Sequence, residues 1–166
     1  MRNYVVYVSK SGNTKAVADE IARELGAKAM SLNLMGKKGR GTREEREEEK
    51  RLFAEALEES KGADLVVVGS PTGFQKAHSK VIRFTKQVEA RMVGFFCTYT
   101  NKVGTTLTDL EEIIRERGVN HAGSLEVGGL RQGEFGELET EKRAQILGEA
   151  NSFAKKCAAC HAVFMK

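Results

Sequence analysis

Along the chain, short apolar runs alternate with longer amphipathic stretches. Tyr4 to Val8 is apolar and rich in residues that favour strands. A polar segment follows, and Val17, Ile21 and Leu25 then recur at four-residue spacing, which predicts a helix with one apolar face. Gly26 closes it, since glycine readily takes the left-handed turn that ends helices. Ala27 to Leu34 is a second, weaker strand candidate. The loop from Gly36 to Gly41, with Lys37, Lys38 and Arg40, leads to Thr42-x-x-Glu45, the pattern of a capping box. The helix beyond it has Leu52, Phe53, Ala56 and Leu57 as its buried side. Within Asp64 to Gly69, Leu65 to Val68 is unbroken by polar residues, as in strands covered on both faces.

The second half repeats the pattern. Val81, Ile82 and Val88 mark a helix, and Met92 to Thr98 a strand through Phe95 and Phe96. Leu107, Leu110, Ile113 and Ile114 mark a helix ending near Gly118; Ser124 to Val127 is a last strand and Leu138 to Ala162 a last helix. Five strands thus alternate with five helices, which implies right-handed βαβ units and a doubly wound parallel sheet with helices on both faces. In such α/β sheets ligands bind outside the carboxyl ends of the strands, where strand order reverses. Attention falls on the loops after the first, third and fourth strands.

Composition narrows the class. With 166 residues and 40% hydrophobic content the chain suits one domain, 1–166, and its single proline, Pro71, leaves no stretch that reads as a linker. No apolar run is of membrane-spanning length and the first apolar segment is too short for a signal-peptide core, so a cytoplasmic protein with no membrane span is expected. Three cysteines, Cys97, Cys157 and Cys160, do not make a disulfide framework. The net charge of +4 is a mild excess that favours acidic partners, and without an aromatic stacking platform it does not indicate nucleic-acid binding. Arg43 to Arg51 mixes both signs and reads as a solvated helix face.

The first of the three loops is Ser9-Lys10-Ser11-Gly12-Asn13-Thr14. It precedes a helix, where free N–H groups and the positive end of the helix dipole favour an anion. Hydroxyls of Ser9, Ser11 and Thr14 and the amide of Asn13 add hydrogen-bonding capacity, and Gly12 allows close backbone approach. The spacing is neither that of the P-loop nor that of the Rossmann fingerprint. Phosphate binding and a simple helix cap with a turn are both compatible with these residues.

This loop resembles the hydroxyl-rich phosphate loop of the flavodoxin family. Gly69-Ser70-Pro71-Thr72-Gly73-Phe74 is similar to the second flavin loop of that family and Thr98-Tyr99-Thr100-Asn101 to its third. The resemblance covers nearly the whole chain in element order and implies a five-stranded sheet of order 2-1-3-4-5 with FMN at the switch point. It implies that Ser9, Ser11, Gly12, Asn13 and Thr14 hold the phosphate, with Lys10 adding positive charge. By the same resemblance Pro71, Thr72, Gly73 and Phe74 flank one face of the isoalloxazine ring and Tyr99 the other. Gly73 is then the peptide best suited to change its hydrogen bond with the state of the flavin, because glycine tolerates either conformation.

Departures from the family leave the role open. Flavodoxin-type carriers are typically acidic and use tryptophan or tyrosine in the second loop, whereas this chain is basic and has no tryptophan. The resemblance therefore admits an FMN-binding electron carrier, an FMN-dependent NAD(P)H or quinone reductase, or a flavin-free binding module. The electron partner is a redox protein or a small-molecule donor or acceptor. Cys157-Ala158-Ala159-Cys160-His161 matches the haem-attachment pattern, but its place on the apolar side of the last helix favours packing, and no metal site or catalytic residue is assigned. His78 reads as a residue at a helix start and His121 carries no catalytic signal. A Ser-His-Asp ordering and the acidic cluster of a phosphoacceptor domain are both missing from the sequence.

Overall fold

The computed structural model describes residues 1–36 and 39–165; Lys37 and Lys38 lie outside the described residues. In chain order the elements are β1 (Asn3–Tyr7), α1 (Asn13–Leu25), β2 (Lys28–Ser31), α2 (Arg43–Ser60), β3 (Ala63–Gly73), β4 (Lys76–Ala77), α3 (Ser79–Gln87), β5 (Ala90–Thr98), α4 (Thr106–Glu116), β6 (Asn120–Val127), a 3-10 turn at Phe135–Glu137, and α5 (Thr140–Phe164). Five strands pair in parallel in the order β2-β1-β3-β5-β6, which is 2-1-3-4-5 when the parallel strands alone are numbered. The short β4 pairs antiparallel with the end of β3.

The unbroken apolar run of β3 divides its side chains between two cores. Leu65 and Val67 join Val5, Met92 and Phe96 beneath α1 and α5. Val66 and Val68 join Val6, Phe95 and the buried faces of α2, α3 and α4. Alternate residues of a strand face opposite sides, so a strand covered on both sides has no polar face to show. Local signals end the helices as expected: Gly26 takes φ 59° after α1, and the Thr42 hydroxyl accepts the Glu45 N–H at 3.1 Å before α2. Among the described residues no helix is long and apolar enough to cross a membrane.

Several bounds differ from the sequence expectation: β2 is confined to Lys28–Ser31, β5 begins at Ala90 and β6 begins at Asn120. The strand read as Asp64 to Gly69 continues to Gly73, because Ser70 and Pro71 stay in register with Cys97 and Thr98 of β5, and Thr72 and Gly73 pair with Ala77 and Lys76. The hairpin turns on Phe74 and Gln75, both left-handed at φ 50° and 62°. Tight hairpins prefer Asn-Gly at these positions, so Phe-Gln gives no sequence signal for one. The last helix begins at Thr140, after the 3-10 turn, rather than at Leu138.

The cysteine motif lies along α5. Cys157 is fully buried, and a Cβ on Gly94 of β5 would stand 3.3 Å from its sulfur. His161 is buried at the other end of the sheet from the strand carboxyl ends, its Nε2 3.5 Å from Asp64 Oδ1 at the start of β3. Among the described residues no three His, Cys, Asp or Glu side chains are grouped to hold a metal ion. Burial pushes the thiols of Cys97 and Cys157 up to about 12, which keeps both as inert thiols at neutral pH. Cys160 is half-buried.

A maleimide at pH 7.5 is therefore expected to label native protein at Cys160 alone, and all three cysteines once the chain is unfolded, as read by intact and peptide mass spectrometry. A second expectation concerns Gly69, where an added Cβ would meet the Phe96 ring at 2.0 Å. Gly69→Ala should cost about 1–3 kcal/mol in urea unfolding. Adding Phe96→Leu should recover part of that loss if the ring is the cause.

Candidate functional site

The strand order reverses between β1 and β3, since the chain moves outward from β1 to β2 and then returns to place β3 on the other side of β1. Pairing of β1 with β3 ends at Tyr7 and Gly69, followed by one bond from Val8 N–H to Gly69 C=O at 3.2 Å. On its other side β3 runs on with β5 as far as Pro71 and Thr98. Pro71 has no N–H to offer a neighbour, which suits the position where β1 has left. A crevice opens there, between the loop that follows β1 and the ends of β3 and β5.

The loop after β1 is held by its own polar side chains. Asn33, just beyond β2, grips Ser9 from both sides: its Oδ1 accepts the Ser9 N–H at 3.0 Å and its Nδ2 donates to the Ser9 carbonyl at 2.8 Å. Both residues are buried. The Ser9 hydroxyl accepts the N–H groups of Gly12 at 3.1 Å and Lys15 at 3.2 Å, so it caps the turn from within. Gly12 sits at φ 103° at the start of α1, a conformation that side chains rarely take. The Thr14 and Thr98 hydroxyls share a hydrogen bond of 2.8 Å across the floor.

Asn13 reaches a fourth segment, which the sequence reading did not single out. Its Nδ2 donates to the Arg131 carbonyl at 2.7 Å and its Oδ1 accepts the Phe135 N–H at 3.0 Å. The Ser11 hydroxyl accepts the Gly133 N–H at 2.9 Å. The loop from Gly128 to Glu134 is thus docked onto the first, and it is tied to β5 as well, because Leu130 N–H donates to the Tyr99 carbonyl and Thr100 Oγ1 donates to the Leu130 carbonyl at 2.8 Å. Tyr99 lies over Gly128, where a Cβ would come within 2.4 Å of its ring. Four glycines between 128 and 136 were the signal available for this loop.

These segments enclose a cleft of about 270 Å³. Of the expected residues, Lys10, Ser11, Asn13, Thr14, Pro71, Thr72, Thr98, Tyr99 and Thr100 line it, joined by Leu130 and Gln132. Ser9 and Gly12 lie behind the lining and shape it. Gly73, Phe74 and Asn101 stand outside it, with Phe74 fully exposed at the hairpin tip. That tip is braced: the Gln75 carbonyl accepts the Thr105 N–H at 2.9 Å, and Gly104 packs so closely on Gln75 that a Cβ would fall 2.2 Å from its oxygen. His78 caps α3, its Nδ1 accepting the Lys80 N–H at 3.1 Å, while His121 is exposed and shares a hydrogen bond with Ser124.

With the side chains spent on holding the loops, the main chain carries the free donors. Among the described residues the N–H groups of Lys10, Ser11, Asn13 and Thr14 have no hydrogen-bond partner. All four residues line the cleft, together with one cationic side chain, Lys10, and no carboxylate. Unpaired N–H groups at a helix N-terminus make a site for an anion.

No family model matches the chain, and no curated protein matches it in sequence. Solved structures do match. The chain is similar to oxidised Flavodoxin 2 from Bacillus cereus, with 19% identity and a TM-score of 0.65 over 96% of this chain and 99% of that one. It is similar to a flavodoxin from the domain Archaea, with 20% identity and a TM-score of 0.60 over 95% of this chain and 99% of that one. It also matches the Flv1 flavodiiron core from Synechocystis sp. PCC6803, with 19% identity and a TM-score of 0.60, where 96% of this chain spans only 36% of the longer one. At such identities the likeness is one of architecture, and the strand order, the two-sided helix cover and these matches together give the chain a flavodoxin-like fold.

Proposed function

We propose that the cleft at the carboxyl ends of β1, β3 and β5 binds FMN and that the protein, a single domain over 1–166, works in electron transfer. The observation that carries this reading is the row of unpaired main-chain N–H groups at Lys10, Ser11, Asn13 and Thr14, in a cleft without a carboxylate. A phosphate monoester supplies the acceptors such donors lack, and its negative charge suits both the helix N-terminus and Lys10. Ser9, Asn13 and Asn33 then serve by fixing the loop in advance of binding, which lowers the ordering cost. Pro71, Thr72 and Tyr99 are left as the walls for the flat ring system, Tyr99 offering an aromatic surface. Gly73 and Phe74 follow Thr72 in the chain and stand outside the lining.

Bound FMN supplies the capacity to take up and release electrons; the protein's part is to place it, shield it and set its electrostatic surroundings. The solved flavodoxins that share the fold support a carrier role, in which the protein exchanges electrons with another protein in the cytoplasm. A second reading, reduction of FMN by a nicotinamide dinucleotide, is favoured by a cationic groove lined by Arg46, Lys50 and Arg83, which one intervening depression separates from the cleft.

Titration of flavin-free protein with FMN and with riboflavin, followed by flavin fluorescence, tests the assignment. FMN is expected to bind about 10- to 100-fold more tightly than riboflavin, because only FMN offers the phosphate to the free N–H groups. Lys10→Glu should lower FMN affinity about tenfold and leave riboflavin nearly unchanged. Equal affinities for the two flavins would remove the phosphate from this loop, and failure of both to bind would leave the fold without the cofactor.

A further inference from the structure

Helix α2 carries two different charge patterns. On one side Arg43 pairs with Glu47 at 3.2 Å, and Arg51 pairs with Glu48 and Glu55. On the side that meets α3, Arg46 and Lys50 face Lys80 and Arg83 around a hollow of about 360 Å³, to which Arg40 also contributes. The carboxylate in this lining belongs to Glu49, which is buried and already committed to Lys80 Nζ at 2.7 Å and to the Leu34 N–H at 2.8 Å. Among the described residues no carboxylate lies within ion-pair distance of Arg40, Arg46, Lys50 or Arg83. Like charges gathered without partners repel one another, and an anion bound among them removes that cost.

The floor of the hollow is apolar. Phe53 stands edge-on to the buried Phe84, with ring centres 6.1 Å apart, which fixes its plane, and the Arg83 guanidinium lies 5.0 Å from its centre. A guanidinium stacked on a ring offers a flat surface to a further aromatic ring and keeps its N–H edge free for phosphate oxygens. An aromatic base next to a phosphate monoester matches both features, whereas inorganic anions use only the charge. Between the hollow and the cleft lies a depression of about 420 Å³ that shares the lining residues Glu49 and Lys80 with the one and Lys10 and Gln132 with the other.

We propose that the groove between α2 and α3 binds the adenosine 2′-phosphate end of a phosphorylated nicotinamide dinucleotide, with Arg46, Lys50 and Arg83 on the phosphate and Phe53 with Arg83 beneath the base. Arginine is the residue type that accommodates a 2′-phosphate in dinucleotide sites generally. This rests on the reductase reading for its purpose, and the binding itself is independent of flavin.

The probe is 2′,5′-ADP, titrated calorimetrically into the full chain at low salt. It is expected to bind about tenfold or more tightly than 5′-AMP. Arg46→Glu with Arg83→Glu should abolish binding, while Arg43→Glu, on the paired side of α2, leaves it unchanged. All the substituted residues are exposed, and circular dichroism checks the fold. FMN affinity measured on the double variant should remain that of the parent, which separates failure of this site from failure of the flavin site. Indifference of 2′,5′-ADP binding to the double substitution would overturn the proposal, as would equal affinity for 5′-AMP or for inorganic phosphate. Binding of poly-glutamate in place of 2′,5′-ADP would also overturn it and assign the surface to an acidic protein.

Discussion

The parting of β1 from β3 beyond Tyr7 and Gly69 is the constraint on which the functional end of this molecule depends. Up to that point the two strands satisfy each other's main-chain groups, and Val8 adds one last bond to Gly69. Past it, each strand must find new partners for groups that cannot be left buried and unpaired. β3 solves this on one side only, by continuing with β5, and its Pro71 has no N–H to leave orphaned on the other. β1 solves it with Asn33, whose side-chain amide does for Ser9 what a neighbouring strand would have done. The crevice is what remains between these two solutions.

That division of labour explains why the loop is so rich in small polar residues. A reading from composition assigns the hydroxyls and amides to a ligand. In the structure the Ser9 hydroxyl takes two N–H groups of its own turn, Asn13 spends both ends of its amide on the loop that precedes α5, and Thr14 bridges to Thr98. Four segments are thereby locked to one another before any ligand arrives. The donors left over belong to the main chain, whose direction is fixed by the helix that follows. Fixed main-chain donors lose little freedom on binding, unlike flexible side chains.

Much of this was legible in the sequence, and the reasons are specific. The unbroken Leu65 to Val68 run and the four-residue spacing of Val17, Ile21 and Leu25 report burial directly, so the parallel sheet and its two helix layers followed, while the strand order came only with the resemblance to the flavodoxin family. The hydroxyl-rich loop was visible because it sits at a strand-to-helix junction. The hairpin at Phe74 and Gln75 was not, since neither residue favours a positive φ and the turn is imposed by distant contacts to Gly104 and Thr105. The loop from Gly128 to Glu134 was overlooked for a related reason: its value lies in bonds to Asn13 and Ser11, more than a hundred residues earlier. Local pattern carries local structure well and carries long-range docking hardly at all.

The strained hairpin and the basic groove also bear on each other. Bulky residues at positive φ cost stability, and such strain persists only where surrounding contacts enforce it. Here the enforcing contacts come from the loop before α4, and Phe74 projects into solvent at the hairpin tip while α3 starts directly after the hairpin. The hairpin leads directly into α3, whose Lys80 and Arg83 face the cations of α2 across the groove. A loop that holds a phosphate makes no use of that groove, and its chemistry differs from the rest of α2: Arg43 and Arg51 pair with glutamates of their own helix, whereas among the described residues Arg46 and Lys50 have no carboxylate within ion-pair distance and the one glutamate of the hollow, Glu49, is taken by Lys80.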